Sequence, residues 1–156
     1  KMPLIAYWPG VTPANTRRDE MAQNLDFAET FLDIAGAPIP SDMQGRSLAP
    51  MLRGESPADW RDAIYYHYYE FPSVHMVARH YGLRNSRYKL IHFYQFDEWE
   101  FYDLENDPDE LTNHYKNDEY QSTIARLKSE LSQLRDHYGD ETDIGSMPAE
   151  WQSRFR

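Results

Sequence analysis

The chain contains no cysteine. Disulfides, thiolate nucleophiles and cysteine-based metal sites are therefore excluded, although this absence does not identify a compartment. Long apolar runs are missing too, and no stretch approaches the roughly 20 residues that a transmembrane helix needs. Basic residues are scarce, 16 Lys plus Arg against 26 Asp plus Glu, for a formal net charge of −10. That balance repels phosphate backbones and anionic bilayers, so neither nucleic acid nor membrane is an expected partner. No secretory leader is visible, and the opening Lys1-Met2-Pro3-Leu4-Ile5 enters in mid-pattern. The expectation is a piece of a longer polypeptide, with any leader upstream.

What is present suffices for a packed core. Hydrophobic residues make up 40% of the 156, enough to argue against wholesale disorder and in favour of one domain or a subdomain with a remnant. Aromatics reach 15%, with 12 Tyr, which suits half-buried sheets and sugar-facing surfaces as well as ordinary cores.

Leu4-Ile5-Ala6-Tyr7-Trp8, stopped by Pro9-Gly10, reads as a strand buried on both faces. Such a strand needs neighbours, and the chain offers few. Residues 26–35 read as a helix with Asp26 and Glu29 as a capping box, Phe27, Phe31, Ile34 and Ala35 as its apolar stripe, and Gly36 as its end. Ser47 to Leu52 suggests one further helical turn. The pattern then changes. Ala63–Tyr69, Met76–Arg84, Arg87–Tyr94 and Trp99–Leu104 are strand-like, with turns at Asn85-Ser86 and Phe96-Asp97-Glu98, so an antiparallel meander is expected. Tyr120, Ile124, Leu127, Leu131, Leu134 and Tyr138 alternate in steps of four and three, the stripe of a helix lying across one face of that meander. After Gly139 the chain is polar and broken by Gly145 and Pro148, as in a loose tail.

Five blocks, in order, resemble the C-terminal part of type I sulfatases, the formylglycine-dependent enzymes of the alkaline-phosphatase-like superfamily. They are Met2 to Gly10, Asn24 to Gly36, Met43-Gln44-Gly45-Arg46-Ser47-Leu48 with Pro50 and Leu52, Arg84 to Ile91, and Glu100 to Glu110. The stretch from Tyr65 to His80 looks most like bacterial enzymes acting on sulfated glycans, including heparan or glucosamine sulfatases. The resemblance implies an α+β piece: a four-stranded antiparallel sheet with a long C-terminal helix, preceded by a strand-helix remnant of the catalytic α/β domain. In those terms residues 1–50 are the last strand and helix of the catalytic domain, 51–140 the C-terminal subdomain and 141–156 a tail.

The resemblance also implies a parent that hydrolyses sulfate esters with a formylglycine nucleophile and a calcium ion, both supplied upstream, and that is secreted or periplasmic. In this chain the nucleophile motif Cys/Ser-x-Pro/Ala-x-Arg fails, because its nearest match, Ser47-Leu48-Ala49-Pro50-Met51, ends on Met51. The acidic segment from Asp103, tested as a calcium loop, puts Pro108 where the sixth-position glycine belongs and His114 where the bidentate glutamate belongs. It reads instead as a surface turn, and no catalytic residue, metal ligand or cofactor is assigned to this chain. Candidate substrate-binding residues are His75, Arg79 and His80, which can donate to sulfate or hydroxyl oxygens, with Tyr69 and Tyr81 offering rings to a sugar. The alternative expectation is that His75 and His80 bond to nearby backbone and that Arg79 sits in a surface ion pair. Arg84, Arg87 and Lys89 are expected to pair with Glu98 and Glu100 across a hairpin rather than bind an anion. The remaining histidines, His67, His92, His114 and His137, read as structural or solvent-facing.

The expected partners are the N-terminal catalytic domain of the same protein and, in the parent, a sulfated carbohydrate. Without that domain, the apolar faces of the 2–35 region should drive self-association. Two other readings stay open at this stage: a stand-alone carbohydrate- or anion-binding module, and part of a related phosphoesterase.

Overall fold

The structure, a computed structural model, describes residues 3–71 and 74–141. The chain divides into two compact units, one ending at Asp62 and the other starting at Ala63.

The first unit is built around helix α1 (Asp26–Ile34) and the single turn α2 (Ala49–Leu52). The expected strand at residues 4–8 is not formed: Ile5 is 92% exposed, Tyr7 is 83% exposed, and no ladder reaches them. A doubly buried strand exists only between two partners, and the described residues of this unit contain no strand that can supply one. Helix α1 ends as expected. Gly36 takes φ +66°, its N–H bonds Asp33 O at 3.0 Å, and the Ala37 N–H bonds Leu32 O at 2.9 Å, the double closure of a Schellman turn.

Its start is not a capping box. Neither carboxylate serves the helix's own first turn; both are drawn into tertiary contacts. Asp26 Oδ1 accepts from the Arg46 N–H at 3.0 Å and from Arg61 Nη2 at 2.6 Å, while its Oδ2 accepts from the Gln23 N–H at 2.7 Å and from Arg61 Nη1 at 2.5 Å. Glu29 Oε1 accepts from the Gly45 N–H at 2.6 Å. Thr30 accepts from the Leu48 N–H at 2.8 Å. Gly45 is required by proximity, since a Cβ there would lie 2.2 Å from Leu25 O and 2.5 Å from the Glu29 carboxylate. The polar face of α1 is thus the buried one, with Asp26, Glu29 and Thr30 all enclosed. Of the apolar stripe, Phe31 is 70% exposed and Ile34 is 40% exposed.

The second unit is the expected meander. Strands β1 (Ala63–Tyr68), β2 (His80–Asn85), β3 (Tyr88–Phe93) and β4 (Glu98–Asp103) pair in sequence order, each antiparallel to the next. Helix α3 (Gln121–His137), entered through a 3-10 turn at Asp118–Tyr120, lies across one face. The register Tyr65↔Leu83↔Leu90↔Phe101 carries one row of side chains onto that helix. Leu83, Leu90 and Phe101 form the core there with Ile124, Leu127 and Leu131, all nearly inaccessible. The second strand starts at His80 rather than Met76. Met76 sits at φ +50°, outside the extended region.

The acidic segment after β4 is organised by Asp103, which is 1% exposed. Its Oδ2 accepts from Arg87 Nη2 at 2.9 Å, Asn106 Nδ2 at 3.0 Å and the Tyr120 hydroxyl at 3.1 Å, and its Oδ1 from the Glu105 N–H and Arg87 Nε, both at 3.2 Å. Arg87, just before β3, therefore pairs with Asp103 and Glu105, and Lys89 in β3 pairs with Glu110 at 2.5 Å, rather than either with Glu98 or Glu100. Asp103 ends β4 opposite Tyr88, beside Arg87, and the turn that follows brings Glu105 to Arg87 and Glu110 to Lys89.

The Arg87 guanidinium, followed by the Glu105 amide and the two other donors, holds the Asp103 carboxyl down at about 2. An unfolded aspartate titrates near about 4, so the unfolded chain binds a proton that the folded chain resists. The resulting stabilisation is complete above about 4 and is lost as pH falls towards 2. Asp103→Asn is expected to lower the melting temperature at neutral pH and to flatten the acid limb of stability. Urea unfolding followed by near-ultraviolet circular dichroism across that range checks this, and an unchanged acid limb would refute it.

Candidate functional site

The sequence-predicted residues lie in and beside the connection from β1 to β2. Val74, His75, Met76 and Val77 are exposed, Val74 at 92%. Arg79 is half-buried at the foot of the connection. It makes no surface ion pair among the described residues: its N–H donates to Gln95 Oε1 at 3.0 Å, its Nη2 donates to Phe71 O at 2.7 Å, and its buried Nε has no partner. His80 opens β2 on the sheet face away from α3. Its Nδ1 bonds Ala78 O at 2.8 Å and its ring stacks on Tyr68, with centroids 5.4 Å apart. The structure thus brings Arg79 and His80 to one place, gives His80 the backbone bond of a structural histidine, and leaves His75 exposed and separate. No hydrogen bond, ion pair or ring contact joins the three among the described residues.

Of the two rings expected to face a sugar, Tyr69 is half exposed, but Tyr81 is not available. Tyr81 points to the α3 face, is 7% exposed, and carries the Arg135 guanidinium 4.4 Å from its ring centre. The tyrosines of β1 alternate as the strand pleat requires. Tyr65 packs towards the core and stacks with Tyr138. Tyr66 and Tyr68 face the other way with buried hydroxyls that lack partners. Burial, followed by the charges of Glu110 and Glu100, pushes the Tyr66 phenol well above its ordinary value.

A second cluster was not visible in the sequence. His67 and Asp140 have side chains only 2% and 5% exposed, and His67 Nδ1 lies 2.6 Å from Asp140 Oδ2. The Tyr65 hydroxyl donates to the same carboxylate oxygen, and His67 Nε2 lies 3.0 Å from the Tyr94 hydroxyl. Burial lowers the His67 pKa, against the opposing pull of Asp140, so the neutral ring fits: Nδ1–H donates to Asp140 and Nε2 accepts from Tyr94. His67 is structural, as its sequence context suggested. Asp140, however, is tied down rather than part of a loose tail. The rest of the expected tail, residues 142–156, lies outside the described residues.

Chemically, these groups can hold and orient; they do not assemble a reaction centre. Among the described residues no three His, Asp or Glu side chains come together as metal ligands, and Asp103, the most tempting acid, has both oxygens engaged. The described residues therefore do not fit a calcium ion, and with no cysteine in the chain and Ser47 outside the required motif they do not fit a formylglycine either. The Ser47 hydroxyl instead donates to Asp33 at 2.5 Å.

Residues 1–137 match the family described as N-sulphoglucosamine sulphohydrolase, C-terminal. An N-acetylglucosamine-6-O-sulfatase of Bacteroides thetaiotaomicron is 48% identical over 90% of this chain and 26% of its own length. A sulfatase of Formosa agariphila is 34% identical over 86% of this chain and 26% of its own length. A solved structure of a protein in complex with its substrate D-glucosamine-2-N,6-O-disulfate superposes with a TM-score of 0.84 at 44% identity, over 90% of this chain and 29% of that one. The chain spans about a quarter of the length of the curated relatives it matches. On the family match across its two units, the chain belongs to the N-sulphoglucosamine sulphohydrolase C-terminal family.

Proposed function

We propose that this chain is the C-terminal part of a sulfatase that hydrolyses a sulfate ester on a glucosamine-type sugar of a sulfated glycan. The observation that carries this reading is the 48% identity, over 90% of the chain, to an N-acetylglucosamine-6-O-sulfatase. The likeness to a structure holding a disulfated glucosamine supports the same substrate class. The chain's own role is that of scaffold and of one wall of the substrate pocket; nucleophile and metal belong to the region preceding it. Residues 1–50 then belong to the catalytic domain, and residues 51–140 form the C-terminal subdomain.

The outward apolar side chains Phe31, Ile34, Ile5 and Tyr7 fit a surface covered by that preceding region. Left uncovered, they drive copies of the chain together. Sedimentation velocity of the isolated chain is expected to show concentration-dependent association that Phe31→Ser with Ile34→Ser weakens; a strictly monomeric chain would refute this.

His75, Arg79 and His80 are the candidates for the wall. The exposed His75 is the donor best suited to sulfate or hydroxyl oxygens, and the half-buried Arg79 guanidinium, whose enclosed Nε–H has no partner among the described residues, and His80 complete the candidate set. In the complete enzyme, Arg79→Ala or His75→Ala should raise KM for a sulfated glucosamine about tenfold or more, with little change in kcat on a small aryl sulfate. Equal effects on both substrates would count against the assignment.

The function as a whole is tested by turnover of an aryl sulfate, a panel of N- and O-sulfated glucosamines and a phosphonate ester. The expected result is sulfate release from a sulfated glucosamine by the complete enzyme and none by the isolated chain. Turnover by the isolated chain, or a preference of the complete enzyme for the phosphonate, would overturn the reading.

A further inference from the structure

The buried His67–Asp140 pair occupies an unusual place in the second unit. Helix α3 ends in a Schellman turn: Gly139 takes φ +62°, its N–H bonds Asp136 O at 3.2 Å, and the Asp140 N–H bonds Arg135 O at 2.9 Å. That turn reverses the chain and delivers the Asp140 carboxylate to His67 on β1. Arg135 holds the residue from the helix side, with Nη2 donating to the Asp140 backbone carbonyl at 3.1 Å.

From His67, contacts run to both ends of the β1–β2 connection. Its ring stacks on Tyr69, which opens the connection, with centroids 3.8 Å apart and planes 25° from parallel. Its Nε2 faces the Tyr94 hydroxyl at 3.0 Å, and the next residue, Gln95, accepts from the N–H of Arg79, which closes the connection. Arg79 in turn donates back to Phe71 O at 2.7 Å. Phe71 itself is 4% exposed. Contacts and short pieces of chain alternate in a closed circuit: His67 stacks on Tyr69, the chain runs on to Phe71, Arg79 bonds Phe71 and Gln95, and Gln95 follows Tyr94, which faces His67; Asp140 is the carboxylate that fixes the orientation of the ring at its centre.

We propose that Asp140 and His67 are a positioning pair: the turn that ends α3 sets the placement of Tyr69, Phe71 and Arg79. Its consequence for catalysis, a substrate wall held ready by a residue far along the chain, rests on the sulfatase reading above. Neither residue touches the substrate in this scheme. Asp140 orients the imidazole, the imidazole supports Tyr69 and Tyr94, and these fix the two ends of the connection.

The first test is hydrogen exchange on the full 156-residue chain as wild type, Asp140→Ala and Asp140→Asn. Asparagine keeps an acceptor for Nδ1–H, whereas alanine removes it. The expected result is exchange about tenfold or more faster in the β1–β2 connection of the alanine variant, near-wild-type protection in the asparagine variant, and unchanged β3 and β4 in both. Unchanged protection of the connection overturns the proposal. So does a rise spread evenly over β2, β3 and β4, which would make the pair a general stabiliser.

The second test measures the same variants in the complete enzyme on a sulfated glucosamine. A raised KM at constant kcat for Asp140→Ala, restored by Asp140→Asn, supports the link to the wall. A loosened connection with an unmoved KM leaves the pair's hold on the connection standing and sinks the substrate-wall reading instead, so the two failures are distinguishable.

Discussion

A carboxylate taken out of water has to be given donors for both oxygens, or the fold loses more than the contact gains. Each unit of this chain is organised around one such group. In the first, Asp26 collects two backbone amides and both outer nitrogens of Arg61. In the second, Asp103 collects a backbone amide, an arginine, an asparagine and a tyrosine hydroxyl. Each draws together segments that are distant in sequence: residues 23, 26, 46 and 61 in one case, and β3, the end of β4, the following turn and the entry to α3 in the other. The aliphatic core of the second unit fixes that helix and sheet face each other; Asp103 specifies where the connection between them runs. The acids of α1 and Asp103 account for much of the motif content of the chain: Gly45-Arg46-Ser47 serves Glu29, Asp26 and Asp33 in turn, and Glu105 and Asn106 serve Asp103.

Helix α1 shows what this arrangement does to an amphipathic element. Its apolar residues have the spacing of a core-facing stripe, yet it is the polar face, Asp26, Glu29 and Thr30, that is enclosed by the rest of its own unit. A helix with both faces suited to burial belongs between two layers, and the chain supplies one of them. The unpaired segment at residues 4–8 has the same character.

The parts of this fold legible in the sequence are those whose signal is local. Period-two aromatics gave the four strands to within a few residues, and the stripe from Tyr120 to Tyr138 gave α3. The errors share one physical origin. Asp26 and Glu29 have the spacing of a capping box, but spacing cannot say whether Arg61 and Gly45 will compete for the same oxygens. Arg87 and Lys89 lie on the same hairpin as Glu98 and Glu100, but the register puts Tyr102 opposite Lys89, and Asp103 and the turn after it supply the acids within reach. The expectation of a sugar-facing Tyr81 ring fails because strand pleat fixes only which residues share a face, not which face is covered. The substrate-wall candidates were legible as residue types, since arginine and histidine between aromatic strands form a recognisable pattern. The pair behind them was not, because His67 and Asp140 are 73 residues apart and nothing in either neighbourhood refers to the other.

The outer edge of β4 is closed by a side chain rather than a strand. Asn113 Oδ1 accepts from the Phe101 N–H at 3.0 Å, its Nδ2 donates to Trp99 O at 3.1 Å, and the His114 N–H completes the set on Phe101 O at 2.9 Å. An amide side chain here stands in for a fifth strand and offers no onward ladder. In polymer terms the sheet is a monofunctional monomer. Whatever meets the outer edge of β1, strand addition through this sheet stops at a pair, because the far end of each copy is already capped.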